Sequence, residues 1–153
     1  VPSDSTKDTI SSVGHLDIIL IPGSDIALRP SQALQSFLQT RLPELKALLL
    51  VCTGSIIGAF AGLLEGKTAT APRIVLPMLK KSLPNVKWVE ERWANDGNIW
   101  TSGLVTNGID MVTAFIREEY PELAEVVCEV ADVPERSGKY EKPLSVLAKF
   151  SVV

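Results

Sequence analysis

The stretch LLLVCTGSIIGAFAGLLEGKTATAP, residues 48–72, decides how the rest of the chain is read. Three leucines and a valine run without interruption into Cys52, a Thr-Gly pair follows, and then comes a segment almost free of charge. A short unbroken apolar run suits a parallel strand buried on both faces. The small-residue segment after it reads as a helix from Thr53 to about Leu64, closed by Gly66. Cys52 therefore stands at a strand-to-helix turn, either as a small core thiol or as a nucleophile.

Working outward, residues 16–21 (LDIILI) and 47–51 (ALLLV) read as two buried parallel strands. Between them, Leu34, Phe37, Leu38 and Leu42 recur at helical spacing behind Ser31, a plausible N-cap. Residues 68–70 suit a short strand and 76–83 a short helix. VKWVEERW and NIWTS suit two strands joined by a turn over residues 95–98, where Asp-Gly is a strong hairpin signal. Residues 105–119 carry an apolar helical face, and Pro121 opens a last helix to about Ala131. Residues 1–15 read as an irregular lead-in and 144–153 as a terminal helix or strand. Strands alternating with helices predict one α/β domain over residues 1–153, with a mostly parallel sheet and a small β-hairpin.

Composition narrows the function classes. At 153 residues, 46% hydrophobic and 22% charged, the chain can bury a substantial core. A net charge of -3 argues against a nucleic-acid binder, and Lys80-Lys81 is explained as a solvated helix end. No run of about 18 apolar residues suggests a membrane span. The polar start, VPSDSTKDTISS, is unlike a secretory signal. Two cysteines with one distant histidine, His15, predict neither a disulfide scaffold nor a metal site, and both thiols are expected reduced in the cytoplasm.

Cys52 sits where open α/β sheets place their sites, at the carboxyl ends of the strands. Free N–H groups and the partial positive charge of a helix start stabilise a thiolate there. Gly54 and Ser55 leave room for a substrate to approach. The plainer reading is a small apolar core residue, and it is the one preferred for Cys128, which lies beside Val126, Val127 and Val130. Trp88, Trp93 and Trp100 read as packing residues before they read as a ligand platform.

Residues 51–70, VCTGSIIGAFAGLLEGKTAT, resemble the nucleophile elbow of the DJ-1/PfpI family, within the class I glutamine amidotransferase-like superfamily, and most closely its fungal and isocyanide-hydratase-like branches. Residues 92–116 resemble the family's hairpin and its Gly-Ile-Asp-Met helix, and residues 16–24 (LDIILIPGS) its Pro-Gly-Gly loop. The colinear resemblance spans about residues 16–120. It implies a flavodoxin-like three-layer sandwich, a homodimer, no cofactor, and a cysteine-dependent hydratase or hydrolase acting on a small electrophilic molecule. Cys52 would be the nucleophile. The amides of Thr53 and around Gly23 and Ser24, with Gly54 beside them, would form the oxyanion site, and the Thr53 hydroxyl would orient water or substrate while also serving as an N-cap. A non-hydrolytic isomerisation, dehydration or cyclisation, and an oxidation-sensing or accessory role, are the alternatives.

Three departures accompany the resemblance. Ser24 replaces the second glycine of the loop, and Pro72 stands where members with a nearby histidine carry it. The family usually has a further βαβ-like half before the first strand read here, supplying an acid that contacts the cysteine. A fragment, a nicked protein, or a half contributed by another chain is therefore expected. Asp17, Asp25 and Asp110 are available carboxylates, but none is assigned as a base.

Overall fold

The computed structural model describes residues 12–142 and residue 144. Three parallel strands, β1 (Ile18–Ile21), β2 (Ala47–Val51) and β6 (Ile99–Ser102), and the antiparallel β5 (Trp93–Asp96) form one sheet in the order β1-β2-β6-β5. In the register, Ile21 lies opposite Leu50 and Val51 opposite Ser102, so the parallel strands end together at one edge. A second, two-stranded parallel sheet pairs β3 (Thr68–Ala69) with β4 (Lys87–Trp88).

Period-two alternation divides the apolar runs between two layers. Leu48, Leu50 and Ile99 face a large core shared with α1 (Gln32–Arg41), α2 (Gly54–Phe60) and α3 (Leu76–Ser82). Ala47, Leu49 and Trp100 face α4 (Val105–Glu119), where Met111 and Phe115 complete a smaller core, and α5 (Pro121–Val130) packs on α4. The expected three-layer sandwich is what is found. Ser31 caps α1 as read, its hydroxyl accepting the Leu34 N–H at 3.2 Å. Trp88 is buried in the larger core, while Trp93, Trp100 and Phe115 form a ring stack with centroids 5.6 and 5.7 Å apart.

Four local readings are corrected. First, α2 stops at Phe60; tight turns follow, with Gly62 at φ +76° and Gly66 at φ +73°, while Leu63 and Leu64 stay buried and mimic a helical pattern. Second, VKWVEERW is not one strand. β4 and β5 belong to different sheets, separated where Arg73 binds the Glu90 carboxylate. Third, the hairpin loop is Gly97-Asn98, since Asp96 pairs with Ile99 inside the ladder. The Asp96 carboxylate accepts the Thr68 N–H at 2.7 Å, tying the hairpin to β3. That bond first, and then the Lys67 ammonium, hold this carboxyl below the usual carboxylate range.

The fourth correction concerns β1, which among the described residues is an edge strand and not a buried one, with Ile18 38% and Leu20 51% exposed. α4 covers β2, β6 and β5, and β1 lies beyond it. The lead-in over residues 1–11 and the terminal segment over 145–153 fall outside the described residues.

Candidate active site at the carboxyl edge of the sheet

Three chain segments leave the sheet at its carboxyl edge: Pro22-Gly23-Ser24 after β1, Cys52-Thr53 after β2, and Gly103 after β6. Cys52 has φ +57°, in the left-handed region that non-glycine residues rarely occupy. It is held there from both sides. Its N–H donates to the Ser102 carbonyl at 3.0 Å, and its carbonyl accepts the Ser55 N–H at 3.2 Å and the Ser55 hydroxyl at 2.7 Å. Such a conformation costs about 1–2 kcal/mol. It persists because the surrounding bonds over-determine it, the usual signature of a functional turn. The Cys52 side chain is half-buried and free of any disulfide.

The glycines after the elbow are needed for packing. A Cβ on Gly54 would collide with the Ile21 carbonyl oxygen, so glycine here lets α2 begin against the end of β1. Gly54 is fully enclosed, and the expectation that it leaves space for substrate is replaced by this close approach. Gly58 brings the same helix onto Leu50, where a Cβ would lie 2.5 Å from a leucine methyl. α2 is only seven residues long, so its dipole assists a thiolate less than a helix reaching Leu64 would.

Thr53 does not cap α2 with its side chain. Its hydroxyl donates to the Ser24 carbonyl at 2.6 Å and accepts the Ser24 N–H at 2.8 Å, clamping the loop after β1 onto the elbow. Ser24 is thereby removed from the expected oxyanion donors, because its amide is already committed. The N–H groups of Gly23 and Thr53 have no partner among the described residues. Gly23 lies directly against the cysteine; a Cβ on it would sit 3.3 Å from the Cys52 Cβ and 3.6 Å from Sγ. The Ser24 hydroxyl is buried without a partner among the described residues. A mainly apolar cavity of about 390 Å3 adjoins this loop, bordered by Gly23, Ser24, Leu28, Arg29, Leu34 and Ile57.

The other named residues take structural places. Pro72 is buried, and its carbonyl accepts the Val75 N–H at 2.9 Å as the chain turns toward α3. Asp25 closes a local turn on the Ala27 N–H, and Asp110 is buried against Arg136 Nε at 2.9 Å. Asp17 accepts the Lys46 N–H through its carbonyl, and His15 is exposed. Cys128 is buried as expected, but Val126, Val127 and Val130 around it are exposed. No group of three or more His, Cys, Asp or Glu residues among the described ones is placed to hold a metal ion. No helix among them is long and apolar enough to cross a membrane.

Tyr140 carries no signal in the sequence, yet it braces the rim of the site. Its hydroxyl donates to Asn107 Oδ1 at 2.9 Å and packs so tightly on Gly103 that a Cβ there would lie 2.7 Å away. Burial pushes this phenol above its ordinary range, while the Arg73 and Arg92 guanidinium groups over its ring pull the other way.

The DJ-1/PfpI family pattern matches residues 2–118. The chain belongs to the DJ-1/PfpI family. An isonitrile hydratase from Pseudomonas putida is 32% identical over 128 residues, which cover 78% of this chain and 54% of the relative. A ThiJ/PfpI family protein from Pseudomonas syringae superposes with a TM-score of 0.71 at 24% identity, covering 91% of this chain and 60% of that one. Drosophila melanogaster DJ-1beta superposes with a TM-score of 0.65 at 20% identity, over 82% of this chain and 67% of that one. These structures share the fold read here from the strand and helix pattern. The chain spans about half the length of the curated relative.

Proposed function

We propose that this DJ-1/PfpI member is a cysteine-dependent enzyme of the hydratase or hydrolase type, acting on a small electrophilic molecule in the cytoplasm, with Cys52 as nucleophile. The observation that carries the reading is the constrained left-handed Cys52, seated against Gly23. Similarity to an isonitrile hydratase gives the reaction its most concrete form. The Cys52 sulfur adds to the terminal isonitrile carbon, and the Gly23 and Thr53 N–H groups face the charge that develops. Water then adds to the same carbon and the C–S bond breaks, returning the thiol. The water oxygen becomes the formamide carbonyl, and its two hydrogens end on carbon and nitrogen. Thr53 acts by holding the Ser24 loop in place, and the working form is a homodimer.

The test is turnover of a simple alkyl isonitrile in 18O-labelled water. Label in the formamide, and its loss in Cys52→Ala with the fold intact, is the expected result. Full activity in the variant would sink the proposal, and product without label would shift it to isomerisation, dehydration or cyclisation. Pro72, in the place of a nearby histidine, favours one second reading, oxidation sensing, because a thiol needs no base to form a sulfenic acid. Mass spectrometry after mild peroxide decides that reading, and an unmodified Cys52 rejects it.

A further inference from the structure

Residues 136–142 form no helix or strand beyond a single antiparallel bridge between Lys139 and Glu91, yet they are fastened at two points to the start of α4. At one point Arg136 Nε donates to Asp110 Oδ1 at 2.9 Å; at the other the Tyr140 hydroxyl donates to Asn107 Oδ1 at 2.9 Å. Asn107 Nδ2 then donates to Asp110 Oδ2 at 3.3 Å, so four side chains link into one clasp. Asn107 and Asp110 are buried, and both ends of the Asn107 amide are used. Buried polar groups satisfied in this way rigidify what they join. What they join has little other local support: no side chain among the described residues caps the N-terminus of α4, and its first turn holds no acidic residue.

The clasp is joined to the elbow through the backbone. The peptide group between Ser102 and Gly103 accepts the Cys52 N–H on its carbonyl at 3.0 Å, and its own N–H donates to the Arg92 carbonyl at 2.8 Å. The Arg92 N–H donates in turn to the carbonyl of Gly138, between the two ends of the clasp, at 2.6 Å. Three backbone hydrogen bonds thus lead from Gly138 to Cys52. The Tyr140 hydroxyl presses on the same peptide, where a Cβ on Gly103 would lie 2.7 Å from it. We propose that Tyr140 is a positioning residue for Cys52: by closing the clasp it fixes the Ser102-Gly103 peptide and, through it, the left-handed turn of the cysteine. The Arg73 and Arg92 guanidinium groups lie over the Tyr140 ring, 4.3 and 5.2 Å from its centroid, so removing the hydroxyl alone opens the clasp and leaves the ring seated. The role in turnover rests on the proposed Cys52 chemistry; the hold on the turn does not.

Tyr140→Phe tests this beside Asp96→Ala, which removes the acceptor of the Thr68 N–H at the other end of β5. Amide exchange in the full chain reads both places. Tyr140→Phe should speed exchange at Cys52 about tenfold and leave Thr68 unchanged, and Asp96→Ala should do the reverse. In turnover of the alkyl isonitrile, Tyr140→Phe should lower kcat about tenfold with KM within about twofold, while Asp96→Ala leaves both near the parent values. Unchanged exchange at Cys52 in Tyr140→Phe, or an equal acceleration there in Asp96→Ala, would overturn the proposal. So would a rise in KM at unchanged kcat. Full activity of Cys52→Ala would remove the proposed function, and exchange at Cys52 would still decide the clasp.

Discussion

Cys52 and Gly97 share nearly the same backbone angle, φ +57° and +67°, yet for opposite reasons. Gly97 opens the two-residue loop between β5 and β6, a tight hairpin that demands a positive φ and uses the residue for which it costs nothing. Cys52 turns the chain from β2 into α2 and pays with strain for a side chain that glycine lacks. Asp132 is the ordinary intermediate case. It follows α5 at φ +50°, a helix-end position that Asp tolerates. The hairpin turn is built for the fold, and under the proposed function the strain at the elbow serves the Cys52 thiol.

The largest expected effect tests the elbow. Cys52→Ala should lower kcat/KM by about 1000-fold or more while circular dichroism and melting stay close to the parent. Loss of structure together with activity would break the contrast with Gly97. Next comes Gly54→Ala, which should cost about 3 kcal/mol in denaturant unfolding because the new methyl meets the Ile21 backbone. A tolerated methyl would show that β1 and α2 can separate at the elbow. Smaller, and more direct, is the reciprocal pair: Gly97→Ala should lose about 1 kcal/mol with activity retained, and Cys52→Gly should exceed Cys52→Ala in stability by about 1 kcal/mol. Equal stability of the two cysteine variants would remove the argument from strain.

The smallest effect sharpens the hairpin side. Because its folded carboxyl lies below the usual range, Asp96 contributes stability above the ordinary aspartate value, near pH 3.9. That contribution fades as pH falls through the depressed folded value. Asp96→Asn should therefore cost about 0.5 kcal/mol at neutral pH and flatten the acid limb of the stability profile. An unchanged acid limb would mean that the Thr68 contact is not what pins the hairpin.

Much of this was legible because it is local. The run into Cys52, the Ser31 cap and the apolar stripe over residues 105–119 each set their element from neighbouring residues alone. What escaped depends on distant chain. An Ile-rich strand reads as buried whether or not anything covers it, so the exposure of Ile18 and Leu20 was invisible. Thr53 looked like an N-cap because residues at that position often are; its actual partner, Ser24, is 29 residues away. VKWVEERW divides only because its two ends join different sheets. Tyr140 matters through Gly103 and Asn107, and neither contact leaves a periodic trace.

The first turn of α4 contains Asn107 followed by Gly108, the dipeptide in which a side-chain amide most readily cyclises onto the next backbone nitrogen. In the folded chain that route is closed. Asn107 is buried and bound to Asp110 and Tyr140, and the Gly108 nitrogen donates to Leu104 at 2.9 Å. Chemical ageing is thereby coupled to unfolding. Each opening of this turn exposes an amide whose hydrolysis would leave a new carboxylate beside Asp110, so deamidation at residue 107 becomes a slow, permanent record of how often the rim of the site has come apart.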